Sequence, residues 1–209
     1  MHHIQQSEQY DVVTLLTTVT SGYDRISMHG VRRSLLRVQA ESIGIPLEEV
    51  FITQGANNAE YERQMGIAFD SHRQAGIQKV LFGDIFLADL KAYREQQLQK
   101  HQLQCLFPLW HRETTELANE FIEQGFRAYI SVIDPRKLPE SFAGRSFDKQ
   151  FLIDCPEDVD PCGENGEFHS FVYDGPIFQH PIAVETGETI LRDSFFFCDL
   201  LQVDSHTVT

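Results

Sequence analysis

The strongest constraint on the fold is an alternation that runs from Val12 to Ile133. Apolar, β-rich stretches at 12–19, 51–53, 79–86 and 127–133, with a strand-like piece at 105–110, take turns with amphipathic ones. Between them, Val31, Leu35 and Val38 share one helical face, as do Tyr61, Met65, Ala68 and His72. Apolar residues at spacings of three and four mark helices, whereas continuous β-branched runs mark strands covered on both faces. Asn57 with Glu60 three residues later has the form of a capping box, and Gly44 and Gly76 close two of the helices. Strands that alternate with helices predict a parallel sheet wrapped by helices, an α/β fold.

Asp134-Pro135 ends this pattern, and beyond it proline, glycine and aromatic residues dominate. The expected organisation is an α/β domain over 1–135 followed by a smaller, mixed α+β domain over 136–209, with a short helix near 147–153. At 209 residues and 42% hydrophobic composition, a sizeable core can be buried. A net charge of −14, from 31 acidic against 17 basic residues, repels phosphate backbones and anionic lipids, which argues against nucleic acid and membranes as main partners. The four cysteines form no C-x-x-C pair, and the run from Val12 to Val19 is too short to cross a bilayer, so a reducing cytoplasm is the expected compartment.

Reactive side chains concentrate in Pro161–Phe178. Within ten positions stand Cys162, Glu164, Asn165, Glu167 and His169, threaded by Gly163 and Gly166. Glycines permit the left-handed backbone of a tight turn, and Phe168, Phe171 and Val172 then lead into a strand, so the polar groups are expected at a strand mouth. Paired carboxylates suit general-base work or the binding of an amine or ammonium. A Cys162–His169 nucleophile is a rival reading, and a zinc site from Cys162, His169 and His29 lacks a four-ligand spacing. In parallel α/β sheets ligands bind beyond the carboxyl ends of the strands, where Thr17, Thr18, Ser27 to His29 and Gly83-Asp84 are expected. No G-x-x-x-x-G-K-S/T, G-x-G-x-x-G or S-G-G-x-x-S phosphate loop occurs in the sequence.

The succession LLTTV, MHGVR, QAESIGIPL, EYE, VLFGDIF, YRE, FPLW and GFRAYISVID, ending in DPCGENGEFHSFVYDGPIF, closely resembles the diphthine-ammonia ligase-like ATP-binding proteins of the N-type ATP pyrophosphatase group. GENGEFHS followed by VYDGPIF is the specific part. The resemblance implies an adenine-nucleotide hydrolase-like, Rossmann-like first domain that faces a smaller substrate domain across a cleft. It also implies ATP with Mg2+: ATP adenylates a carboxylate, pyrophosphate leaves, and ammonia attacks the acyl-adenylate to give an amide. Carried over by position, Thr17, Met28 and His29 are expected near adenine, and Gly83 and Asp84 near ribose and phosphates. Glu164, Asn165, Glu167 and His169 are expected near the acyl group and ammonia, with Glu167 as general base or ammonium binder and Asn165 as an oxyanion donor. Members of the family open on a strand and an S-G-G-K-D-S loop, and this chain opens at the helix that follows them. A start upstream of Met1 is the favoured explanation, because the downstream motifs are intact, and the chain as written is expected to be impaired. A non-catalytic nucleotide- or carboxylate-binding module is the alternative.

Overall fold

The computed structural model describes residues 1–22, 25, 26 and 29–203. A short helix α1 (His2–Ser7) leads to β1 (Leu15–Ser21), α2 (Arg33–Ile43), β2 (Leu47–Thr53) and α3 (Asn58–Gln74). Next come β3 (Lys79–Leu81), α4 (Ala88–Lys100), β4 (Gln104–Leu106), α5 (Thr114–Glu123) and β5 (Arg127–Ile133). A 3-10 turn at Glu140–Phe142, α6 (Lys149–Asp154), β6 (Phe168–Asp174), β7 (Val184–Arg192) and β8 (Phe195–Gln202) complete the order. The mixed α/β class agrees with the sequence.

The local signals hold in detail. Asn57 Oδ1 accepts from the Glu60 amide at 3.0 Å and starts α3. Gly44, at φ 78°, closes α2 by giving its amide to Ala40 and Glu41, a conformation that costs glycine little.

The sheet differs from expectation in two ways. Parallel pairing joins β1 to β2 and β3 to β4, each as a two-stranded sheet. Leu16 of β1 nevertheless packs in the same cluster as Val80, Phe82 and Cys105, over Phe69 of α3 and Leu98 of α4. The second difference is a correction. Arg127–Ile133, expected in the parallel sheet, lies inside an antiparallel sheet of order β6-β5-β8-β7. Its alternative partners come from later in the chain, and an apolar run carries no record of the direction its neighbours take. Two shorter corrections concern length: β3 stops at Leu81, not Phe86, and β4 ends at Leu106 before a turn at 108–111.

The antiparallel sheet is covered on separate patches. Ile130, Ile133, Phe168 and Phe151 form one buried cluster with Leu138 and Phe142. Leu35 of α2 joins Phe171, Ile182, Cys198 and Leu200 in another. Helix α2 therefore ties the parallel part to the antiparallel sheet. Hydrogen bonds reinforce this joint: Gln39 Nε2 donates to Val172 O at 2.6 Å, and the Gln179 amide donates to Ser42 O at 2.7 Å. With that joint fixed, the loop after β3 faces the turn before β6.

Candidate functional site

The turn before β6 is a hydrogen-bonded scaffold built on two glycines. Gly163 and Gly166 have φ of 69° and 84°, and their amides donate to Asp160 O and Gly163 O at 2.8 and 3.0 Å. A Cβ on Gly163 would stand 2.8 Å from Phe168 O, so any side chain there clashes with backbone. Asp160 then accepts the Glu164 amide at 2.8 Å through Oδ2.

The two glutamates of the turn face different surroundings. Glu164, half-buried, accepts from the Ile85 amide at 2.7 Å and the Phe86 amide at 3.4 Å, which latches the turn onto the loop after β3. Glu167 is buried, 3% exposed. Its Oε1 accepts from Asn165 Nδ2 at 2.9 Å and from the Asp160 amide at 3.1 Å, while its own carbonyl accepts the Asp134 amide at 2.8 Å. Glu167 Oε2 is buried without a protein partner. Buried polar atoms are normally satisfied, so this oxygen is the one atom of the turn that calls for a further donor.

Between the turn and the β3 loop lies a cleft of about 400 Å³. His29, Gly83, Asp84, Glu164 and His169 line it, so five of the expected residues meet there. Asn165, exposed, and Glu167, buried, are absent from its lining, and Thr17 lies away from it on β1, opposite Glu49 of β2. Met28 falls outside the described residues.

Charge in the cleft is partly neutralised. Asp84, 6% exposed, is paired with Arg94 Nε at 2.9 Å, and the guanidinium also lies 4.5 Å over the Phe82 ring. His29 and His169 approach with ring centroids 4.4 Å apart. Burial, and then the neighbouring His29, push the His169 pKa down to about 4, so the ring is neutral at pH 7. The concave wall also lowers His29, whose side chain is exposed at the rim, where solvent limits the effect. Cys162 lines the cleft too, but burial pushes its thiol up to about 12 and Sγ donates to Thr114 O at 3.3 Å. A thiol so far from its thiolate is a poor nucleophile. Among the described residues no group of three or more His, Cys, Asp or Glu is arranged to hold a metal ion.

Sequence reasoning missed Arg94 and Asp160. The first is ten residues from Asp84 and meets it only because α4 folds back. The second carried a local sign, an Asp just before Pro161 and Gly163, since such residues commonly accept turn amides.

Two family profiles together cover most of the chain. The diphthamide synthase N-terminal domain profile matches residues 1–103, and the diphthamide synthase C-terminal domain profile matches 113–204. The chain belongs to the diphthine-ammonia ligase-like family. Similar curated proteins include the diphthine-ammonia ligases of Homo sapiens, 30% identical over 117 residues, and Danio rerio, 31% identical over 117 residues. These alignments cover 53% of this chain in both cases, and 44% and 46% of the relatives. The Rattus norvegicus protein is 30% identical over 127 residues, 58% of this chain and 47% of its own. The chain thus spans less than half the length of the curated relatives it matches. No helix among the described residues is long and apolar enough to cross a membrane.

Proposed function

We propose that the cleft is the reaction chamber of an ATP-dependent, amide-forming ligase, in which a carboxylate is adenylated and ammonia displaces AMP. The observation that carries this reading is the buried, unpartnered Glu167 Oε2 beneath a glycine turn that Glu164 latches to the β3 loop. The relatives' name, diphthine-ammonia ligase, supports ammonia as one substrate and a diphthine-like carboxylate as the other.

ATP supplies the leaving group that a carboxylate lacks. Attack by ammonia on the acyl carbon forms the C–N bond, breaks the bond to AMP and releases a proton, and we assign to Glu167, whose unpartnered Oε2 lies outside the cleft's own lining, the role of accepting it or of holding ammonium beforehand. One hydrogen of Asn165 Nδ2 goes to Glu167 and orients that carboxylate, which leaves its second hydrogen for the oxyanion role. Neutral His169 and His29 offer uncharged hydrogen-bonding edges to adenine or to the acyl group. In this reading β1 to β4 and their helices form the Rossmann-like nucleotide side, and the segment after residue 135, joined by β5, forms the substrate side.

The residues fit the adenylate half of the nucleotide better than its pyrophosphate. Arg94 is the cationic side chain among the cleft's lining residues, it is paired with Asp84, and the sequence holds no phosphate loop. Neither do Asp84 and Glu164, engaged by Arg94 and by the Ile85 amide, present a ready Mg2+ site. The 209-residue chain alone is therefore expected to bind Mg-ATP more weakly than micromolar, and micromolar binding in isothermal titration contradicts this. The same two engaged carboxylates favour a second reading, a non-catalytic module that binds a nucleotide or carboxylate. Joining the chain to an S-G-G-x-D-S strand and loop separates the two. The enzyme forms amide from ATP, labelled ammonium and acid, and Glu167→Gln abolishes product while nucleotide still binds. Undiminished product from that variant removes Glu167 from the chemistry.

A further inference from the structure

The wall of the cleft that carries His29 is held by a charge cluster on β8. Asp199 Oδ1 accepts from Arg25 Nη1 at 2.9 Å and from Arg32 Nε at 3.0 Å, and Oδ2 accepts from Arg32 Nη2 at 2.5 Å. Arg25 Nη1 also donates to Gly30 O at 2.7 Å, one residue past His29. Gly30 has φ 64° and rests on β8, where a Cβ would come 2.5 Å from the Phe197 ring. Amides of Ile26 and Gly30 close the turn onto Val31 O and Ile26 O. The carboxylate and the ring on β8 therefore hold the described residues on both sides of His29, and His169 stands two strands away on β6.

We propose that Asp199 is a positioning residue for the cleft: through Arg25 and Arg32 it seats His29 against His169 and so completes the imidazole wall that faces the cleft. Two guanidiniums on one carboxylate, one of them bidentate, define direction as well as distance. A single surface ion pair lacks that geometric hold and is worth little. The other titratable or charged groups around the cleft, Asp84, Arg94, Cys162 and Glu164, come from the β3 loop, α4 and the glycine turn, and none of them is part of the clamp. The inference rests on the proposed function only for what the wall serves, because the positioning itself is read without nucleotide or acid.

The test is an NMR pH titration of the histidine ring protons in the 209-residue chain, in the parent and in Asp199→Asn. In the parent, His169 is expected to titrate near pH 4. Release of His29 opens the wall to water and moves the His169 midpoint upward, toward 6.5. Gly30→Ala, which pushes the same turn off Phe197, is expected to act in the same direction, and it gives the reading if Asp199→Asn does not fold. A folded variant with lowered thermal stability and an unmoved His169 midpoint overturns the proposal, as does an ordinary His169 midpoint in the parent. Failure of the ligase reading is registered separately, as missing amide product with the His169 response intact.

Discussion

Glu164→Ala cuts the latch between the two sides of the cleft, and its effect can be sized in advance. Glu164 is the acceptor for the Ile85 amide, at 2.7 Å, and Ile85 is 5% exposed. Hydrogen bonds to charged groups contribute about 1.5–3 kcal/mol, and an unpaired buried amide carries a similar penalty. A loss of about 2 kcal/mol in local opening free energy corresponds to roughly 30-fold faster amide exchange, since about 1.4 kcal/mol is tenfold. Hydrogen exchange followed by NMR should therefore show Ile85 accelerated by that order, with Phe86 affected less because its contact is 3.4 Å long. Ile130, fully buried in β5, serves as the unchanged control. Glu164→Gln keeps an acceptor and loses only the charge, so a several-fold acceleration is expected. Parent-like exchange at Ile85 in folded Glu164→Ala refutes the latch.

Two further outcomes follow from the same geometry. His169 is neutral in the fold down to about pH 4, whereas the unfolded chain protonates it near 6.5. The unfolded state then binds more protons in that window, so stability falls as pH drops from about 6.5 to about 4 and His169 adds no further change below it. Denaturant titrations at several pH values should show a shallower slope for His169→Gln, and an identical slope contradicts the burial of the ring. Cys162, with its thiol pushed up to about 12, should resist iodoacetamide at pH 7 in the folded chain, as followed by peptide mass spectrometry. Rapid labelling there revives a thiol mechanism.

What the sequence disclosed was mostly local. The Asn57–Glu60 cap, the Gly44 stop and the Gly163–Gly166 turn each depend on residues a few positions apart, where side-chain chemistry acts directly on neighbouring amides. The direction of β5 was hidden because its partners β6 and β8 arrive dozens of residues later. Glu164 and Glu167, three residues apart, were both expected near the acyl group and ammonia, with Glu167 as the base. They differ because one reaches a backbone amide 79 residues away and the other is folded under its own turn. Asp199 gave no signal at all, since its role depends on residues 167 and 174 positions earlier.

The proposed chemistry requires that an adenylate be received between the β3 loop and the glycine turn. An amide chemical-shift titration of the isotope-labelled 209-residue chain with AMP tests this directly, because AMP needs no pyrophosphate cradle. Saturable shifts at Gly83, Asp84, Glu164 and His169, weakened in Glu164→Ala, are the predicted result. Shifts confined to the far face of the antiparallel sheet, or none at millimolar AMP, contradict it.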